Sequence, residues 1–296
     1  MRAFLCFSLL LLLPTQAAVG KSSPVVAIII DDIGNNLALD ERAVALPGPV
    51  ACAFLPDTPY AAKLAREAHR NGKEVLLHLP LEAIRHEKLG PGGLTLHMTE
   101  GEFIRTVQAD LAAIPDVNGV NNHMGSLMTQ HPGDMAWLMG ALRQDDGLFF
   151  VDSRTTPRTV AYNIAQEYGV PATWRDVFLD DVQTTQAILA QLQHLIRIAK
   201  RRGTAVAIGH PYAVTLYVLR KQLPRLEDAG VRLVSLRTII ARQAEHAAPK
   251  KVTRVVQQLK SPSTSSGQAG DGASLTADPA QKQHDAAEAG GTRAHP

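Results

Sequence analysis

Val25-Val26-Ala27-Ile28-Ile29-Ile30-Asp31-Asp32-Ile33-Gly34 is an apolar, mostly β-branched run that stops abruptly at two adjacent carboxylates and a glycine. An apolar run without alternation reads as a strand buried on both faces, of the kind found at the centre of a parallel α/β sheet. Successive strand residues point to opposite sides, so Asp31 and Asp32 are not expected to play the same part. Parallel α/β folds build their sites at the C-terminal ends of strands. Two acids there call for a metal, a basic partner or a proton-transfer role. The plainer alternative is a helix cap and turn, which uses one Asp and leaves the other unexplained.

Working outward from that strand, further apolar runs lie at Val50–Leu55, Glu74–Leu79, Gly119–Asn122, Leu148–Asp152, Ala205–Gly209 and Arg232–Ser235, with a short one at Ala172–Arg175. Amphipathic segments separate them. Thr58-Pro59 and Thr156-Pro157 read as an N-cap followed by Pro at the first helical position, and Thr99 with Glu102 as a capping box. The longest helix is expected from about Gln183 to Arg202, closed by Gly203. This pattern predicts an irregular (β/α) barrel of seven or eight parallel strands over residues 24–243, since about 220 residues is close to the usual barrel size. A doubly wound open sheet is the alternative. Residues 244–296 are poor in large apolar side chains, and this composition predicts a disordered tail.

Residues 1–20 match a secretory signal peptide: Met1-Arg2, an apolar run from Ala3 to Leu13, then small and polar residues to Gly20. The run is shorter than the ~20 residues of a bilayer span, so the expectation is export, to the periplasm or as a secreted protein, with no stable membrane span after removal. Cys6 leaves with the signal, and Cys52 alone remains, a small hydrophobe in an apolar run. A net charge of +2 and 5% aromatic residues argue against a nucleic-acid partner.

Polar residues recur at the ends of the predicted strands, where a barrel would gather them at one mouth. Two imidazoles and a carboxylate are a usual set for a catalytic divalent metal. Asp32, His78 and His123 are the candidates, with zinc favoured by the mixed nitrogen and oxygen donors. Asp31 is then a candidate general base and His210 a candidate general acid. Ser126, Asp152, Arg175 and Asp176 are candidate substrate-binding residues. For each histidine alone, a hydrogen bond to a loop is the competing reading. Asp152 as a helix cap and Arg175-Asp176 as a plain ion pair are the competing readings for those residues.

The ordered set Ile-Ile-Asp31-Asp32-Ile-Gly34, Leu-His78-Leu-Pro80-Leu-Glu82, Asn122-His123-Met-Gly125-Ser126, Asp152-Ser153, Arg175-Asp176 and Ile-Gly209-His210-Pro211 resembles the divergent polysaccharide deacetylase family. The resemblance spans about Pro24 to Ala241. It implies an exported, metal-dependent deacetylase with an irregular barrel, acting on an acetylated envelope carbohydrate. It also implies a double aspartate as base and metal ligand, two metal histidines four residues apart, and a late histidine as acid. Asp31, Asp32, His123 and His210 match this pattern. Leu127 stands where the second metal histidine would be, and His78 from another strand is the well-placed substitute. That departure motivates an alternative, a non-catalytic envelope protein that keeps the pocket for a glycan or a protein partner.

Overall fold

The computed structural model of the chain describes residues 23–246 apart from 86 and 146. The expected signal peptide, and the expected tail beyond His246, lie outside the described residues. The strands are β1 (Val25–Ile33), β2 (Ala51–Phe54), β3 (Val75–Leu81), β4 (Gly119–Met124), β5 (Phe149–Asp152), β6 (Ala172–Trp174), β7 (Val177–Phe178), β8 (Thr204–Gly209) and β9 (Arg232–Leu233). The helices are α1 (Leu37–Val44), α2 (Ala61–Arg70), α3 (Glu100–Ala113), α4 (Pro132–Arg143), α5 (Ala161–Glu167), α6 (Thr185–Arg202), α7 (Ala213–Gln222) and α8 (Leu236–His246).

Every pairing is parallel, and the strands curl in the order β6-β5-β4-β3-β2-β1-β8-β7. The two edges, β6 and β7, are consecutive in sequence and joined only by Arg175-Asp176. The Arg175 N–H donates to Asp152 O on the β5 side, and the Asp176 N–H to Val206 O on the β8 side. Two residues thus span the seam of an incompletely closed barrel. The short β9 pairs with Val25 and Val26, below the point where β2 takes up the same flank of β1.

Alternation along the strands splits the apolar residues into two layers. Ile28, Ile30, Cys52, Phe54, Leu77, Leu79, Val120 and Phe150 face outward against the helices. Val25, Ala27, Ile29, Ala51, Ala53, Leu76, Phe149, Val151, Val206 and Ile208 fill the interior, which Leu236 and Ile239 of α8 plug from below. Buried on both faces, the strands need no alternating polar positions until they reach the upper mouth. Cys52 is buried and its thiol is pushed up to about 12 by desolvation, in keeping with a small hydrophobe.

The Thr99–Glu102 capping box is present, and Thr184 caps α6, which ends at Gly203 in the left-handed conformation. Two expected caps are corrected. Neither Thr58 nor Thr156 caps a helix: α2 starts after Tyr60 and α5 after Val160. Thr58 donates its hydroxyl to Leu55 O, so Thr58-Pro59 closes a turn instead. The sequence reading also lacked β7, whose two residues are too short for a periodic signal.

Candidate metal centre and its flanking acid and base

At the upper end of the barrel the inward-facing positions become polar: Asp31, His78, Asn121, Ser153, Arg175 and His210 continue the rows that are apolar below. Asp31 follows the alternation of β1 and points inward. Asp32 breaks it, with φ at 59° and a register shift between Ile30 and Ile33 against β2. This local turn carries the second carboxylate back towards the same mouth, so the expected opposition of the two acids does not hold. The left-handed conformation costs a non-glycine residue about 1–3 kcal/mol and needs surroundings that impose it. Gly34 supplies part of them: its φ is +138°, and a Cβ there would collide with the Thr58 hydroxyl. Asp40 of α1 supplies the rest, its Oδ2 accepting the N–H groups of Gly34 and Asn36 at 2.9 and 3.0 Å. Asn36 caps α1, so the cap reading of the aspartate pair is not needed.

Asp32 Oδ1 lies 3.2 Å from His78 Nε2 and 2.9 Å from His123 Nδ1, and the two ring nitrogens are 3.2 Å apart. The oxygen is buried, yet neither ring N–H is aligned for a hydrogen bond to it. One carboxylate oxygen and two imidazole nitrogens therefore form a nearly equilateral triangle. Its two 3.2 Å edges fall within, and its 2.9 Å edge just below, the ~3.0–3.4 Å separation of donors that share an ion at ~2.1 Å with angles between octahedral and tetrahedral. Burial opposes the charge on Asp32, but the facing His123 and His78 outweigh it and hold its carboxyl well below the usual range. His78 mirrors this: burial disfavours its charge, and Asp31 and Asp32 raise its pKa to about 9. The two aspartates thus favour positive charge beside them at His78.

Two further groups flank the triangle. Asp31, 3% exposed, lies 3.6 Å from His78 Nε2 and accepts a hydrogen bond from Asn121 Nδ2 at 2.8 Å. Burial raises its pKa, against the lowering effect of His78 and His210. His210 Nε2 is 3.8 Å from Asp32 Oδ2, and its Nδ1 is 2.9 Å from Asp180 Oδ1. Asp180 also accepts from the His210 N–H and from Thr215 Oγ1, at 2.7 and 2.8 Å. So fixed, the imidazole directs Nε2 at the mouth. Burial disfavours its charge, but Asp180, Asp31 and Asp32 together raise its pKa.

The four expected substrate-binding residues separate. Arg175 sits in the polar layer, where burial opposes its charge and Asp31 and Asp152 favour it, and it donates to the carbonyls of Ser153 and Arg154. Asp152 faces outward from β5 and accepts from Arg154 N, Thr159 Oγ1 and Tyr162 N, bracing the approach to α5. Asp176 is engaged by Arg202, Trp174 Nε1 and Val206 N. Ser126 Oγ accepts from Ile84 N. The structure does not bring these last three to the triangle. Two residues missed in the sequence hold groups of the site, Asp180 at His210 and Asn121 at His78 and Asp31. Asp180 closes Val177-Phe178-Leu179-Asp180-Asp181, an apolar run ending in paired acids like that of β1, and this was its signal. Asn121 was visible only as a strand-end amide.

The model of the divergent polysaccharide deacetylase family matches residues 28–240. The uncharacterized protein YibQ of Escherichia coli strain K12 is 36% identical over 251 residues, covering 84% of this chain and 77% of the relative. A protein of Haemophilus influenzae is 38% identical over 210 residues, covering 71% and 74%. The crystal structure of ATU2773 from Agrobacterium tumefaciens C58 superposes with a TM-score of 0.71 at 24% identity, over 75% of this chain and 92% of that one, and so shares the fold.

Proposed function

The chain belongs to the divergent polysaccharide deacetylase family, and from that membership we propose that it is a metal-dependent hydrolase that removes acetyl groups from an envelope carbohydrate. The observation that carries this reading is Asp32 Oδ1, a buried oxygen without a hydrogen bond, facing two imidazole nitrogens at 2.9 and 3.2 Å. Asp32, His78 and His123 would hold a divalent ion, zinc being the ion favoured by this donor set. Such an ion supplies Lewis acidity, polarising an acetyl carbonyl and making a water molecule a better acid.

The chain's own groups account for the proton movements. Asp31 takes the proton as water adds to the carbonyl carbon. His210, held through Nδ1 by Asp180, gives its Nε2 proton to the departing sugar nitrogen or oxygen as the acyl bond breaks. Acetate and a free amine or hydroxyl are the products. Phe178 and Tyr212, with ring centroids 5.2 and 5.6 Å from that of His210, offer apolar surface where the sugar would enter. The N-terminal sequence supports a periplasmic setting for this chemistry.

Metal analysis after zinc loading and gel filtration tests the reading. One equivalent of zinc is expected in the wild-type protein and far less in His123→Ala. Equal, empty results for both would remove the metal from the account.

A further inference from the structure

We propose that Asn121 is a positioning residue that selects the nitrogen His78 turns towards the ion and links that choice to Asp31. The inference rests on the metal reading above. Asn121 is fully buried on β4, directly opposite His78 in the β3–β4 register. Its amide has one end that only donates and one that only accepts. Asp31 Oδ1 lies 2.8 Å from Nδ2. A carboxylate accepts, so the nitrogen end faces it. The oxygen end is then left 2.9 Å from His78 Nδ1, and an oxygen that only accepts requires the hydrogen to be on Nδ1. The lone pair of His78 is thereby placed on Nε2, the nitrogen 3.2 Å from Asp32 Oδ1.

Other side chains of similar size lack one half of this link. Leucine would fill the space but leave a buried Nδ1–H without a partner and the ring free to turn over. Aspartate would still accept from Nδ1–H, but it would set a second carboxylate against Asp31 instead of a donor. Partners of this kind typically change metal affinity 10–100-fold when removed.

The test uses the whole protein with ¹⁵N-labelled histidine. Zinc affinity is measured by chelator competition, and ¹¹³Cd substitution reports which ring nitrogen binds. In the wild type, coupling to His78 Nε2 is expected. Asn121→Leu should weaken zinc binding about 10–100-fold and lose or move that coupling. Asn121→Asp, which keeps the acceptor, should retain the coupling on Nε2 and recover most of the affinity. Leucine binding zinc as tightly as the wild type through Nε2 would overturn the proposal. If the leucine variant does not fold, loss of Nε2 coupling in the aspartate variant overturns it. A wild type that binds neither ion defeats the metal reading itself and this inference with it, an outcome distinct from failure in the variants alone.

Discussion

The two ends of the barrel are built on opposite principles. At the lower end Leu236 and Ile239 are fully buried, Glu74 accepts the N–H groups of Leu236 and Arg237, and Arg237 reaches the carbonyls of Asn118 and Gly147. Apolar surface is covered, and the carboxylate and guanidinium there are paired, with Gln243 Oε1 of α8 an exception among the polar atoms. At the upper end Asp32 and Met124, in the last positions of β1 and β4, and Asp57 and Arg154, just beyond β2 and β5, have positive φ, whereas among the described non-glycine residues Asp116, between α3 and β4, is the one on the lower side. Buried carboxylate oxygens of Asp32 and Asp40 lack hydrogen bonds there. Strain and unpaired charge persist only where the rest of the fold over-determines them. The covered lower end is a place where the fold can supply that surplus, and the upper end is where acidic and imidazole groups are held close together.

The sharpest way to break this division is to substitute one residue at each end. On the proposed reading of Asp31 as base, Asp31→Asn should lower deacetylation about 10²–10⁴-fold, the usual worth of a general base, with a melting temperature close to that of the wild type. Steady-state rates on an acetylated oligosaccharide beside a thermal melt would show it. Ile239→Ala should do the reverse. It opens a cavity beneath the barrel and costs about 3 kcal/mol, within the range for large-to-small core changes, while turnover per folded molecule is unchanged. Denaturant unfolding measures that loss. An Asp31 variant as unstable as the Ile239 variant, with activity to match, would erase the distinction between the ends.

Much of this division was legible in the sequence. The apolar run from Val25 to Ile30 marks a strand buried on both faces, and the inward direction of His78, His123 and His210 follows from parity along their own strands, although His78 lies in the middle of β3 rather than at the expected strand end. What parity could not reveal is Asp32: it reaches the same cluster through a single left-handed residue, a tertiary effect without a pattern of its own. Asp152 and Asp176 illustrate the converse. Each lies at a strand end, yet outward direction and nearby backbone donors draw their carboxylates into local bracing. Asp180 is obscured because β7 is two residues long, and the likeness of its paired acids to Asp31-Asp32 is the signal that could have found it.

A smaller effect sharpens the comparison in the helical layer. Asp110 of α3 is 1% exposed, packs against Gly92, and has one carboxylate oxygen without a partner. Gly92 follows the Leu89–Pro91 segment, which walls a pocket of about 220 Å³ together with Asp57 and His123. Burial, helped by the charge of Asp57, raises the Asp110 pKa from 3.8 to about 7. Between these two values the unfolded chain has released a proton that the folded one keeps. The contribution of Asp110 to stability is therefore fully present below about pH 4 and is lost as pH rises through about 7. Asparagine at this position does not titrate. The stability of Asp110→Asn relative to wild type should thus rise by on the order of 1–2 kcal/mol across that window and level off above it, the loop relaxing enough to limit the gain. Urea unfolding at a series of pH values reads the slope directly. Parallel curves for the two proteins would mean that this carboxyl already finds water or a cation, and that the unpaired charge of the upper end is confined to the strand ends.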